Sequence, residues 1–397
     1  MASVKDNLEL KLIRSTSLAK NLELKDLTPA QLEVVNHRTS QLLVLGQAGS
    51  GKTSTLIAAI ANRIAAGEDP NKILALTYGR QSASKLRDQI ASANPTAHTV
   101  AEPIARTFHS IAFMILNDPI NLESSADKKY VLLSGAEQDA QIRQLLELDA
   151  ANPAQSNWPQ DLIPALTTKG FAKELREFIG RATERGSSPA ELSKFAKKYD
   201  QKYWPAICHF WDRYQNAMAL RDATTTHSFN RVDPSEIVVL AVDKLESNQR
   251  LLQKYQKLFQ IIYVDEFQES DRAQRKLLQL LSGPELVIFA DPDSAVGRFR
   301  GADPDNLISD LEQFGIKKKI TLDKRLRPIA SQQVALLSSA SEEANFIAHQ
   351  FRSAHLTSKM PWSQMAVIVR SPGPQITALQ RAFAMNSIPV EIDAQAA

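Results

Sequence analysis

The sequence predicts an α/β protein whose main domain is a doubly wound parallel sheet. Three observations predict it. Four short apolar runs each end in a polar, glycine or acidic residue: Leu42–Leu45 before Gly46, Ile73–Leu76 before Thr77, Ile261–Val264 before Asp265, and Leu286–Phe289 shortly before Asp291. Helical patterns such as Ser54–Ala66 and Gln81–Ala91 lie between them. The first run leads directly into a glycine-rich loop and then a helix. Unbroken apolar runs of this length are strands buried on both faces, as in the middle of a parallel sheet. Alternating strand and helix makes that sheet doubly wound, with ligands held at the C-terminal strand ends.

The bulk numbers agree with a soluble globular chain of two or three domains. There are 397 residues, 43% hydrophobic and 23% charged. The net charge is only +3, so no basic tail announces nucleic acid, although a local basic groove is compatible with that sum. Cys208 is the one cysteine, which excludes an internal disulfide framework and a cysteine zinc cluster. This suits a reducing cytoplasm, the expected location. Acidic residues Asp6, Glu9 and Glu23 interrupt the N-terminal segment, and no signal peptide is expected. No apolar stretch approaches the roughly eighteen residues that cross a bilayer.

The elements follow in order. Residues 1–24 are an N-terminal extension. Residues 25–109 and 226–328 carry the four strand runs and make the nucleotide-binding domain. Residues 110–225 read as a mostly helical insertion, with helices at Glu137–Leu148, Gly170–Arg185 and Pro189–Tyr199. Trp158, Trp204 and Trp211 are expected to pack that insertion rather than form a binding platform. From 329 to 397 a second α/β domain begins, with a helix near Glu342–Phe351 and an apolar run, Met365–Val369, that reads as its first strand. Lys317-Lys318-Lys319 reads as a solvated turn.

Two motifs carry chemistry. Gly46-Gln47-Ala48-Gly49-Ser50-Gly51-Lys52-Thr53 fits the phosphate-loop pattern and has the strand before it and helix after it that the pattern requires. Its glycines let backbone N–H groups curl around phosphate oxygens, and the helix N-terminus adds partial positive charge. Lys52 would reach the outer phosphates of ATP, and Thr53 would give a hydroxyl to Mg²⁺. The second motif is Asp265-Glu266 at a strand end. Asp265 would hold the metal with Thr53, and Glu266 would orient or deprotonate the attacking water. Alone, an acidic pair at a strand end is an ordinary solvated cap; the phosphate loop upstream changes its meaning.

Asp265-Glu266-Phe267-Gln268 also resembles the second motif of superfamily 1 helicases of the UvrD, PcrA, Rep and RecB group. Other segments match that family in order. Leu27–Gln31 resembles its upstream glutamine motif and Ala75–Tyr78 its motif Ia. Arg106–Ser110 resembles motif Ib, Asp291–Ala302 motif III, and Leu322–Pro328 motif IV. The wording of motifs Ia, Ib and III is similar to actinobacterial UvrD/RecB-like proteins, including the AdnA/AdnB type. The resemblance implies RecA-like domains and an ATP-driven, 3′-to-5′ motor on single-stranded or 3′-tailed duplex DNA. A helicase or nuclease subunit is a possible partner. It implies that Gln31 reads adenine, that Gln268 belongs to the nucleotide site and that Arg327 approaches the γ-phosphate. It also implies that Tyr78 and Phe299 stack on bases, while Thr107, His109 and Arg300 touch phosphate or sugar.

The chain departs from the family at several points. Ser294 stands where the family has a phosphate-sensing glutamine, Gly297 where it has an aromatic, and Leu326 where it has the adenine-stacking tyrosine. Little sequence separates Arg327 from Glu343, and motifs V and VI are not found before the last residue, so the second RecA-like domain is expected to be incomplete. Three alternatives therefore stay open: a subunit that holds ATP and DNA but hydrolyses poorly, a fragment of an intact helicase, and a phosphate-loop switch unrelated to DNA.

Overall fold

All four apolar runs of the nucleotide-binding region become strands. The computed structural model describes residues 27–392 apart from 39, 94–103, 124–127, 155, 225–228, 303, 306–311, 327–332 and 370–372. It divides into two units, residues 1–328 and 329–397. The strands of the first are β1 (Gln41–Gly46), β2 (Ile73–Thr77), β3 (Ala105–Thr107), β4 (Lys129–Leu132), β5 (Phe229–Val232), β6 (Ile261–Val264), β7 (Glu285–Ala290) and β8 (Lys318–Leu322). Six form one sheet in the order β3-β2-β6-β7-β1-β8. Every pairing in it is parallel. The register pairs Leu45 with Ala290, Gly46 with Leu322, Leu76 with Val264, and Thr77 with Thr107. The C-terminal ends therefore line up, and every motif that follows a strand emerges along one edge.

Side-chain alternation splits each strand between two cores. Leu42, Val44, Tyr263 and Phe289 point to the face covered by α1 (Pro29–Val35), α2 (Lys52–Ala65) and α3 (Arg80–Ala93). Leu43, Leu76, Val264 and Ile288 point to the opposite face. There α4 (Phe108–Leu116) is the first covering helix. This helix falls within the span expected for the insertion, yet Ile111, Ala112 and Ile115 are fully buried against the sheet. The insertion proper lies between β4 and β5, a separate two-stranded parallel pair that brings its two ends together.

The insertion contains α5 (Gly135–Ala151), α6 (Lys169–Glu184), α7 (Pro189–Lys198) and α8 (Trp204–Thr224). Reciprocal caps start two of them: Ser134 with Glu137, and Ser188 with Glu191. Their apolar faces close on Ile142, Leu146, Trp158, Phe210 and Trp211. Trp158 and Trp211 are buried and Trp204 is half-buried against the same core, as their expected packing role requires. Trp158 donates to the Asp149 carboxylate at 2.9 Å, and Arg213 also binds that carboxylate. The other face of the sheet is then completed by α9 (Ile237–Ser247), α10 (Gln249–Leu258) and α11 (Arg272–Leu281).

Arg63 of α2 is a buried knot at the N-terminal side of the sheet. Its guanidinium donates to the Tyr263 hydroxyl at 2.7 Å and the His37 carbonyl at 2.9 Å, and pairs with Glu68 and Glu285. These partners come from β6, β7 and two loops, so a single planar fork ties the sheet to α2.

Two sequence expectations are corrected here. Lys318 and Lys319 are solvated, but they open the edge strand β8 rather than a turn; Ile320 and Leu322 point inward and pin it beside β1. In the second unit, Met365–Val369 is not a strand. That unit consists of α12 (Ala340–Thr357) and α13 (Gly373–Met385), packed through Ala344, Ala348, Ala382 and Phe383, with Phe351 stacked on Phe383. An apolar run becomes a strand only when a neighbour takes up its backbone groups, and no described residue of this unit offers that partner.

Candidate nucleotide site

The site is assembled where β1, β6 and β7 end side by side. Past Gly46 the chain turns through Gly49 and Gly51, with φ of 83° and 88°. These are left-handed values that glycine adopts without a Cβ penalty. A Cβ on Gly51 would also come within 2.7 Å of Gln31 Nε2 and 2.9 Å of Leu326 Cδ1. The turn delivers Lys52 and Thr53 as the first residues of α2, whose unpaired N–H groups face the loop.

Lys52 is buried. Its Nζ donates to the Gly46 carbonyl at 2.8 Å and lies 3.5 Å from Asp291 Oδ2. Thr53 Oγ1 donates to Asp265 Oδ2 at 2.8 Å, joining residues 212 positions apart. Burial first, and the neighbouring Glu266 charge second, push the Asp265 carboxyl up to about 6, while Thr53 and Lys52 oppose the rise. A buried carboxylate held up in this way gains a strong partner when a cation binds. Thr53 and Asp265 are hard oxygen donors of the kind Mg²⁺ takes alongside phosphate oxygens. No cluster of three or more potential metal ligands exists among the described residues, which is compatible with a metal held mostly by substrate and water.

Glu266 stands directly after Asp265 in the left-handed region, with φ 53°. This costs a non-glycine residue about 1–2 kcal/mol. The strain turns its carboxylate away from the strand direction and toward Gln268, whose Nε2 donates to Glu266 Oε2. Gln268 is fully engaged: Nε2 also reaches Ser294 Oγ at 3.3 Å, and Oε1 accepts from Asp291 N at 2.9 Å. A glutamine thus links the end of β6 to the end of β7.

Gln31 sits behind the phosphate loop. Its Oε1 accepts from Thr28 N at 2.9 Å as half of a capping box, and its Nε2 points to the Ser50 carbonyl at 3.5 Å. In this arrangement it braces the loop. From the other side Arg325 Nε donates to the Ala48 carbonyl at 3.1 Å, and Leu326 N to the Gly49 carbonyl at 2.9 Å. Gln47 and Ser50 complete the turn through a 3.1 Å backbone bond. The Ser50 hydroxyl is buried with no partner, an orphaned polar group inside the phosphate cradle.

The other expected residues lie along the same sheet edge. Tyr78 follows β2, and its ring packs on Phe108 at 5.1 Å between centroids. Its hydroxyl is buried facing Ser270 without a well-formed hydrogen bond. Thr107 ends β3 and its hydroxyl caps α4 by accepting from Ser110 N at 3.1 Å. His109 is exposed on the first turn of α4. The backbone of Phe299 and Arg300 forms a single helical turn after β7, but their side chains lie outside the described residues, as does Arg327. At Gly297 a Cβ would come within 2.3 Å of the Glu269 carboxylate, whose other oxygen accepts from Val296 N at 2.8 Å. An acidic side chain occupies the space that a larger residue at 297 would need. Ser294 Oγ turns inward to Asp291 O at 3.1 Å.

Sequence reasoning missed Asp291 as the buried partner of Lys52, Gln268 as the β6–β7 link, and the brace from Arg325. Asp291 stood at a strand end in the sequence; nothing local pairs it with a lysine 239 positions earlier.

The family model described as the UvrD/REP helicase N-terminal domain matches residues 27–315. DNA helicase II of Haemophilus influenzae is 28% identical over 324 residues, covering 80% of this chain and 40% of that protein. The ATP-dependent DNA helicase PcrA of Bacillus subtilis is 27% identical over 311 residues, covering 77% and 38%. PcrA of Leuconostoc citreum is 22% identical over 381 residues, covering 86% and 46%. The chain therefore spans less than half the length of these relatives.

Proposed function

The chain belongs to the UvrD/REP helicase family, and on that premise we propose that it is the ATP-hydrolysing part of a 3′-to-5′ motor on single-stranded DNA. The observation that carries the reading is the convergence of Lys52, Thr53 and Asp265, with Glu266 adjacent, at the ends of neighbouring strands of one sheet. Loop N–H groups and the α2 N-terminus would receive the phosphates. Lys52 would exchange the Gly46 carbonyl for an outer phosphate oxygen, and Thr53 and Asp265 would hold Mg²⁺. When bound, Mg²⁺ neutralises charge on the phosphate oxygens. Glu266 uses one carboxylate oxygen on Gln268 and has the other to accept a proton from the attacking water as the bond to ADP breaks.

Movement needs nucleotide and DNA sites that feel one another. Tyr78 follows β2, Thr107 ends β3 and His109 opens the helix after it, all on one flank of β6, and the phosphate loop follows β1 on the other. The Asp265 N–H donates to the Leu76 carbonyl at 2.9 Å, so the metal-binding strand end is bonded to the strand that carries Tyr78. DNA would lie across this flank, in the cytoplasm, with Phe299 and Arg300 contributing from the β7 end.

The test is phosphate release by the purified chain with and without oligothymidylate, followed by unwinding of 3′-tailed and 5′-tailed duplexes. Strand-stimulated release and unwinding confined to 3′ tails are expected. A preference for 5′ tails overturns the direction, and release indifferent to DNA overturns the motor. A second reading has its own observation: Ser294 is tied down to Asp291 and Gln268, so it does not extend toward a γ-phosphate. On that reading the chain holds nucleotide and DNA but turns over slowly, and it works with a helicase or nuclease partner. Tight nucleotide binding with negligible strand-stimulated release would select it.

A further inference from the structure

Two consecutive side chains hold the segment after β7 to the end of β6. Gln268 takes its start: Oε1 accepts from Asp291 N at 2.9 Å, and Nε2 reaches Ser294 Oγ at 3.3 Å. Glu269 takes its middle. One carboxylate oxygen accepts from Val296 N at 2.8 Å, and the other fills the space beside Gly297. Gly297 is buried, and its carbonyl accepts from Ala302 N at 3.2 Å, which closes the turn carrying Phe299 and Arg300. Gly297 is not in the left-handed region, so its missing Cβ serves space and not conformation. The acid and the glycine are therefore one fitted pair, made by residues 28 positions apart.

Glu269 is in turn placed by the residue proposed as the base. Phe267–Glu269 is a single tight helical turn, and Glu269 N donates to the Glu266 carbonyl at 2.9 Å. Phe267 is fully buried and anchors that turn in the core. Glu266 itself is held at φ 53°. A shift of Val296 thus passes through one carboxylate and one turn of backbone to the Glu266 carboxylate. Reacting groups are sensitive to such shifts: a misplacement of about 1 Å can cost about a hundredfold in rate.

We infer that Glu269 is a positioning residue, which sets the turn carrying Phe299 and Arg300 against Glu266 so that DNA on the turn is felt at the base. This role rests on the motor reading and deepens it, because it assigns the coupling between strand and hydrolysis to one side chain. What the role requires is an acceptor of the right length, not a charge. An ordinary loop tie would change stability and leave the ratio of stimulated to unstimulated hydrolysis where it was.

The experiment measures phosphate release by the full chain over a range of ATP concentrations, with and without saturating oligothymidylate. Glu269→Ala should lower the strand-stimulated kcat by about tenfold or more, with the unstimulated rate and the KM for ATP within about twofold of the parent. Glu269→Gln keeps the length and the acceptor oxygen and should stay within about twofold of the parent throughout. Gly297→Ala drives a methyl group into the carboxylate and should reproduce the loss. Because both changes break one contact, Glu269→Ala/Gly297→Ala should lose no more than Glu269→Ala alone. Stimulated and unstimulated rates falling together in Glu269→Ala would make the residue merely structural and overturn the role. So would full stimulation in Glu269→Ala, losses that add in the double variant, or a Glu269→Gln variant as poor as Glu269→Ala. Each of these leaves the motor reading standing. A parent chain that oligothymidylate does not stimulate overturns the motor reading, and this role with it.

Discussion

The phosphate-loop region and the helical insertion bury side chains equally well and for different reasons. Around the loop the buried groups are polar: Lys52, Asp265, Gln268, Asp291 and Gln31. Each is held by a partner from another strand or loop, and the Ser50 hydroxyl of the loop is buried without one. In the insertion the buried groups are mostly apolar, among them Ile142, Leu146, Phe210 and Trp211, with Gln138, Thr183 and the Asp149 carboxylate that Trp158 and Arg213 share as polar exceptions among the described residues. Buried polarity costs free energy unless it is satisfied, so a fold keeps a concentration of it where a ligand repays it. Buried aromatics need no such return. Chemistry is therefore expected to fail when the first region is altered and stability when the second is, and four measurements break or sharpen that division.

The largest effect is expected at Glu266. Glu266→Gln keeps the shape and the bond to Gln268 but removes the proton acceptor. Strand-stimulated phosphate release should fall by about a hundredfold to ten-thousandfold while the affinity for a fluorescent ATP analogue stays within about twofold. Unchanged turnover would remove Glu266 as the base. Arg63 probes the rule from the other side, because it is buried and polar but remote from the loop. Arg63→Ala leaves Glu285 and the Tyr263 hydroxyl buried without their partner. It should cost about 3–5 kcal/mol in urea unfolding. A cost under about 1 kcal/mol would mean the knot is dispensable.

Trp211→Ala should also cost about 3–5 kcal/mol, because it opens a cavity in the insertion's core. The loss is expected in an unfolding transition of the insertion followed by far-ultraviolet circular dichroism, with nucleotide affinity retained. If nucleotide binding collapsed with it, the two regions would be one cooperative unit and the contrast would fail.

The smallest effect is a pH dependence at Glu236. Burial, then the Asp233 charge, raise its carboxyl to about 7, with Gln215 opposing. The folded value lies above the unfolded one. Its penalty on stability is therefore absent well below pH 4, grows as pH rises through the interval up to about 7, and is constant above it. Glu236→Gln does not ionise. It should match the parent near pH 4 and exceed it by about 1–3 kcal/mol at pH 8. An advantage that is the same at both pH values would show that shape and not charge was relieved.

Much of this architecture can be read along the chain. Four strands, the helices between them and the phosphate loop are written as runs of consecutive residues, because backbone hydrogen bonding and two-faced burial impose local periods. The loop glycines and the acidic pair at the end of β6 belong to the same class: their chemistry needs neighbours in sequence. Other features have no local signature. β8 hides in a lysine run because two inward side chains, Ile320 and Leu322, decide it only once β1 is beside them. Met365–Val369 has the composition of a strand and no strand to pair with. Thr53 meets Asp265 across 212 residues and Arg63 meets Glu285 across 222. The Glu269 carboxylate stands in the space that Gly297 leaves open. Periodicity and turn chemistry act over a few residues, so the chain alone specifies its elements and its phosphate loop. Charge pairing, edge pairing and the filling of space act over ångströms, and those distances exist only after the sheet has closed.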